Sequence, residues 1–145
     1  MAITIRTAVP ADSSPLASLL GQLGYPARPR DVEARVEYWL EDPNSALVVA
    51  EMADAIAGVA ALHVFPLFEH TARRGRLVAL VVDDAFRGQG IGRALMEAAE
   101  GRARSLGSHD MEITSARDRV AAHEFYAAMG YEDVCARAAR FMKRL

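Results

Sequence analysis

The sequence predicts an α/β domain in which a mixed sheet is flanked by helices, in the order β-α-α-β-β-β-α-β-α-β-β. Three observations predict it. Patterns of period two interleave with amphipathic helical patterns along the chain. The stretch from Arg76 to Val82 is apolar on both faces, as an interior strand covered from both sides would be. That strand runs through Asp83 to Arg87 into Gly88-Gln89-Gly90-Ile91-Gly92, a glycine turn that opens an Ala-, Leu- and Met-rich helix.

Ile3, Ile5 and Thr7 alternate with more polar neighbours and predict a first strand. Asp12 or Ser13 can cap a helix through Leu16, Leu19 and Leu20, which Gly21 and Gly24 help to end. Beyond Pro26 and Pro29, Val32, Val36, Trp39 and Leu40 share one face of a second helix from Arg30 to Leu40, stopped near Pro43. Ala46 to Met52 and Ala55 to Val64 are apolar runs around the polar turn Ala53-Asp54, so a hairpin is expected. Phe65 to Gly75 reads as a polar, aromatic loop before the strand from Arg76 to Val82. In the helix from Gly90 to Leu106, Ile91, Leu95, Ala98, Ala99 and Arg102 recur at helical spacing, and Gly107 closes it. Met111 to Thr114 is a short strand, Asp118 to Met129 a helix, and a last strand pair follows from Tyr131.

A chain of 145 residues, 52% hydrophobic and 25% charged, is expected to form one globular domain over residues 1–145. Its formal net charge of −2 gives no general attraction to nucleic acid or an anionic membrane, although Arg73, Arg74 and Arg76 cluster locally. Cys135 is the only cysteine, which excludes an intramolecular disulfide and a cysteine-rich metal site. The histidines at 63, 70, 109 and 123 lack metal-ligand spacing, so no metal is expected. No apolar run reaches the roughly 18 residues of a membrane span, and the first residues alternate like a strand rather than a signal peptide. A cytoplasmic location is the expectation.

The glycine turn carries the functional signal. The first four N–H groups of a helix lack internal partners, and the helix dipole adds partial positive charge at the same end, so a phosphate is held there without many cationic side chains. Glycine lets that backbone approach a ligand closely. No Lys-Ser/Thr follows the last glycine, and Gly88, Gly90 and Gly92 do not meet the G-x-G-x-x-G spacing, so neither a nucleoside triphosphate loop nor a dinucleotide fingerprint fits.

Arg87-x-x-Gly90-x-Gly92, with a Val-rich strand ahead and a helix behind, resembles the pyrophosphate-binding motif of the GNAT superfamily of acetyl-CoA-dependent N-acetyltransferases. Phe125-Tyr126-Ala127-Ala128-Met129-Gly130-Tyr131 resembles that family's C-terminal F-Y-x-x-x-G-F/Y segment. The resemblance implies a GNAT-type, mostly antiparallel sheet with acetyl-CoA as acetyl donor. Pyrophosphate would rest on the amides of Gly88, Gln89, Gly90, Ile91, Gly92 and Arg93 near the Arg87 side chain, and the pantetheine arm along the backbone of Leu80, Val81 and Val82. Tyr126 corresponds to the family's tyrosine near the coenzyme sulfur, a group able to protonate the departing thiolate.

Other positions depart from the family. Val78 and Thr114 stand where many members carry a glutamate base, which leaves Glu112, on the Thr114 face, and Glu69, in the loop before the strand, as candidates acting through water. Arg119 stands where the family often has asparagine, and would meet the cofactor or an acidic substrate. The implied reaction is direct transfer, in a ternary complex, to a primary amine of a small molecule or peptide. The competing reading is a non-catalytic acyl-CoA sensor or partner-binding module. A homodimer through the C-terminal strands is open in either case.

Overall fold

The computed structural model describes residues 2–145. It divides into two compact units, one running to Thr114 and the other from Ser115 to Leu145.

The first unit holds a five-stranded sheet in the order β1-β2-β3-β4-β5. Its strands are β1 (Thr4–Thr7), β2 (Ser45–Met52), β3 (Ala55–Pro66), β4 (Arg73–Val82) and β5 (Ser108–Ile113). β1 to β4 pair antiparallel, and β5 joins β4 in parallel. Helices α1 (Ser13–Leu23), α2 (Pro29–Glu41) and α3 (Ile91–Ser105) complete the unit.

Two faces of the sheet are buried. Leu16 and Leu19 of α1 and Val32 and Val36 of α2 form one core with Leu47, Val49, Val59, Ala61 and Val81. Residues of opposite parity, Val48, Leu62 and Val64, are also fully buried, as are Ile91, Leu95 and Met96 of α3. Gly58 of β3 lies beneath that helix: a Cβ there would stand 2.8 Å from Leu95 Cδ1 and 2.8 Å from the Val81 carbonyl oxygen.

The hairpin turns through Ala53 and Asp54, with φ of 52° and 59°, the two left-handed residues that match a tight turn to the twist of its strands. Arg6 of β1 ties the opening segment together. Its guanidinium grips buried Asp12 through two bonds of 2.8 and 2.9 Å and also meets Glu51 of β2. Asp12 therefore accepts from Arg6 and from the Val9 amide (2.9 Å) instead of capping α1.

Several boundaries differ from expectation. Gly21 lies inside α1, and Gly24, at φ 105°, ends it. The loop expected from Phe65 to Gly75 is shorter, because β3 runs to Pro66 and β4 starts at Arg73. Cross-strand ion pairs sustain this polar end of β4: Arg74 binds Asp110 through two 3.0 Å bonds, and Arg76 binds Glu112 at 3.0 Å. On α3 the buried face includes Met96 and Ala103, while Arg102 is exposed and reaches Thr7.

The second unit contains α4 (Val120–Ala128), closed by Gly130 at φ 94° and a 3.0 Å bond from the Tyr131 amide to the Tyr126 carbonyl. The last strand pair expected after Tyr131 is not formed; the stretch 131–145 carries only a turn. Val134 is its one β-branched residue, and Ala136-Arg137-Ala138-Ala139-Arg140 offers little side chain for a pleated surface. The fold class stands, with five strands in the sheet instead of seven.

Candidate functional site

The site begins where β4 loses one neighbour. β4 and β5 pair from Arg73↔Ser108 to Leu77↔Ile113 and no further, so Leu80, Val81 and Val82 are paired only to Ala60, Val59 and Gly58 of β3. A strand paired on one side presents unmet N–H and C=O groups on the other. The parting is marked by a bulge. Ala61 faces Ala79 and Leu62 faces Leu77, which leaves Val78 without a partner on either neighbouring strand and 54% exposed.

The chain then turns through a 3₁₀ segment, Asp84–Phe86, that is pinned at several points. The Asp83 amide donates to the Ala57 carbonyl (2.8 Å), and the Asp83 carboxylate accepts from the Ala85 amide (2.9 Å). Gln22 of α1 accepts from the Asp84 amide at 3.0 Å. Beyond it, Gly88 and Gly90 take φ of 78° and 82°, a left-handed backbone that a side chain would strain, and a Cβ at either would meet nothing within 4 Å. Gly90 is the N-cap of α3. Among the described residues, no acceptor of the chain meets the amides of Gly88, Gln89, Ile91, Gly92 or Arg93. The Ile91 side chain is buried beneath and fixes the helix start. The turn is therefore an open cradle of amides at the positive end of a 15-residue helix.

Arg87 is not free above this cradle: its guanidinium pairs with Asp84 at 2.7 Å, both side chains largely exposed. Arg93 points along α3 toward Glu97 at 3.9 Å. Glu112 on β5 is engaged by Arg76, which also donates to Thr114 Oγ1 at 3.1 Å. Glu69 is exposed in the short β3–β4 connection.

In the second unit, Tyr126 is half-buried on α4, edge-on to Phe125 (5.5 Å) and to Tyr131 (6.2 Å). Burial pushes its phenol above the ordinary tyrosine range, and the positive charge of Arg119 opposes that shift in part. Arg119 itself is exposed at the N-cap of α4.

A further polar group was not visible in the sequence. On β3, His63 Nδ1 lies 3.1 Å from Ser45 Oγ of β2, and Ser45 Oγ lies 2.7 Å from Asp42 Oδ2 in the turn after α2. The Asn44 amide and the Ser45 hydroxyl hold the Asp42 carboxyl below its usual range. Only the pairing Ser45↔His63 brings these residues together, and no spacing along the chain signals it.

Comparison with known proteins gives a consistent result. The sequence model of the Acetyltransferase (GNAT) family matches residues 15–131. The chain is 34% identical over 93 residues to an aminoalkylphosphonate N-acetyltransferase of Salmonella typhimurium, a match spanning 64% of this chain and 60% of that one. It is 30% identical over 134 residues to an aminoglycoside N(6')-acetyltransferase type 1 of Stenotrophomonas maltophilia, spanning 90% and 86%. A crystal structure of a GNAT family acetyltransferase from Staphylococcus aureus superposes with a TM-score of 0.81 at 22% identity, covering both chains in full.

Proposed function

Because the chain belongs to the GNAT acetyltransferase family, whose acetyl donor is acetyl-CoA, we propose that it transfers acetyl directly to a primary amine of a small molecule or peptide in a ternary complex. The observation that carries this reading is the continuity of two features: a β4 backbone that beyond Leu77 is paired on one side only, running into a turn in which the amides of Gly88, Gln89, Ile91, Gly92 and Arg93 meet no acceptor among the described residues. The shape and chemistry fit an extended amide-bearing arm ending in a diphosphate. Leu80, Val81 and Val82 would pair with the pantetheine amides as a neighbouring strand would, and Gly88, Gln89, Gly90, Ile91, Gly92 and Arg93 would hold the diphosphate. Arg87 would add charge once released from Asp84 or shared with it.

Tyr126 would act as general acid. A half-buried phenol with a raised pKa stays protonated at neutral pH and has its proton available for a departing thiolate. Of the carboxylates considered as base, Glu112 is already bound to Arg76, and Glu69 is exposed in the β3–β4 connection, near enough to Arg74 to feel its charge. Arg119, close enough to Tyr126 to affect its titration, would meet the coenzyme or an anionic group of the acceptor. The acceptor classes favoured are those named for the relatives, aminoalkylphosphonates and aminoglycosides. A cytoplasmic setting and a single catalytic domain complete the proposal; no described helix is long and apolar enough to cross a membrane.

The test is calorimetric titration with acetyl-CoA, followed by thiol release on an amine panel. Gly90→Glu places a carboxylate on the cradle and a Cβ at φ 82°, so coenzyme affinity is expected to fall at least tenfold. Unchanged affinity would refute the assignment of the cradle.

A further inference from the structure

The arrangement of Asp42, Ser45 and His63 has a direction that follows from donor counting. A carboxylate only accepts, so the single hydroxyl hydrogen of Ser45 is spent on Asp42 at 2.7 Å. The Ser45 oxygen must then accept from His63 Nδ1 at 3.1 Å, which places the ring hydrogen of the neutral imidazole on Nδ1 and leaves Nε2 as a bare lone pair. The Asn44 amide holds the far Asp42 oxygen at 2.9 Å, and Phe65 stacks near the imidazole, 6.3 Å between centroids and 19° between planes. A ring fixed in tautomer and orientation by hydrogen bonds that end on a carboxylate is how a histidine base is built.

Its position matters as much. His63 faces Arg76 across the β3–β4 pair, two residues before the bulge at Val78. Diagonal neighbours on adjacent strands stand about 7–8 Å apart, within reach of an imidazole directly or through one water. Resting on the proposed function, an arm laid from the cradle along Leu80 to Val82 would bring its acyl end toward Val78, where β5 has departed.

We propose that His63 is the general base of the transfer, with Ser45 and Asp42 as its positioning residues. The amine lone pair forms the N–C bond, and the nitrogen loses a proton to His63 Nε2. The C–S bond breaks with its electron pair going to sulfur, and the thiolate takes a proton from solvent, to which the imidazolium returns its own, so that amide and free thiol are the net products. The groups facing the imidazole are Asp42 from the α2–β2 turn, Ser45 from β2, Phe65 from β3 and Arg76 from β4, the last already neutralised by Glu112 of β5.

The experiment measures kcat and KM against pH for the full chain with acetyl-CoA and kanamycin, 2-aminoethylphosphonate and an alanyl peptide, with coenzyme affinity determined for every variant. His63→Gln should lower kcat/KM for the amine by about 10²- to 10⁴-fold and abolish the acidic limb of the profile, with acetyl-CoA affinity unchanged. Asp42→Asn and Ser45→Ala should each lower kcat less than His63→Gln does, with KM and acetyl-CoA affinity unchanged, because the imidazole keeps its Nε2 lone pair and loses the bonds that orient it. A His63→Gln enzyme that binds coenzyme and keeps the wild-type kcat and acidic limb overturns the base while leaving the proposed function intact. A wild-type protein that binds no acetyl-CoA, or binds it and acetylates none of the three amines, overturns the proposed function and this inference with it.

Discussion

Gly58→Ala tests whether the packing under α3 is as tight as its geometry requires. Two effects oppose each other. Gly58 does not have a left-handed φ, so alanine restricts the unfolded chain at no torsional cost, a gain of about 0.4–1 kcal/mol. Against this, the new Cβ would lie 2.8 Å from Leu95 Cδ1, 2.8 Å from the Val81 carbonyl oxygen and 3.3 Å from Ile91 Cγ2. Leu95 can rotate its methyl away at the cost of an off-rotamer χ, but Val81 O is backbone of β4 and moves only with the strand. Overpacking of this kind costs about 1–3 kcal/mol, which outweighs the gain from alanine over most of its range. The net loss of about 0–2.5 kcal/mol corresponds to a fall in Tm of up to about 8 °C at roughly 3 °C per kcal/mol for a chain of this size. Because the displaced atoms belong to β4 and to the first turns of α3, the two elements that carry the cradle, acetyl-CoA affinity should fall with stability. Differential scanning calorimetry and coenzyme titration read the two effects. A variant that melts above the wild type, or that loses stability while keeping full coenzyme affinity, would refute the coupling of this packing to the site.

Four other outcomes are expected. Asp12 is held below the ordinary carboxylate range by Arg6, so its stabilising contribution is present above about pH 4 and is lost as pH falls further; an Asp12→Asn chain should show a shallower acid-side decline in denaturant unfolding and lose about 1.5–3 kcal/mol at neutral pH. Ala53→Gly relieves a left-handed alanine in the hairpin turn and should raise stability by up to about 1 kcal/mol, visible as a higher urea midpoint at unchanged m. Tyr126→Phe should retain acetyl-CoA binding and lower kcat by about 10²-fold or more, and an unchanged kcat would remove the phenol from the mechanism. Arg87→Ala should weaken coenzyme binding with a reduced dependence on ionic strength, measured by titration at two salt concentrations, because the group removed is a solvated cation beside the proposed diphosphate cradle.

What the sequence made legible is what neighbouring residues decide. The helix α3 and the turn before it are set by Gly88, Gly90, the apolar face of Ile91 and Leu95, and the strand of Leu80 to Val82, all within one short stretch. The hairpin is equally local, and its bend falls at Ala53-Asp54 as expected. The start of β4 was missed because Arg73 and Arg74 look like loop residues until Asp110 is placed opposite Arg74 by the parallel pairing with β5. The expected C-terminal strands are not formed, because the alanine- and arginine-rich stretch after Tyr131 does not carry them.

The same distinction separates the two halves of the candidate site. Phosphate recognition by backbone amides needs only a conformation, so a run of glycines at a strand-to-helix junction can announce it. Proton transfer needs side chains from different strands to converge, and convergence depends on register: slipping β2 against β3 by one residue would turn Ser45 to the opposite face from His63 and dissolve the group. Glu69 drew notice as a base from its place in the loop before the strand and Glu112 from sharing the Thr114 face, whereas Asp42, Ser45 and His63 are joined only by the sheet. The register is fixed by burial, since Leu47 and Val49 on β2 and Val59 and Ala61 on β3 must all face α1 and α2. The core that stabilises the sheet is therefore also what sets the orientation of the imidazole, so a core substitution that loosens the β2–β3 register should lower kcat before it unfolds the chain.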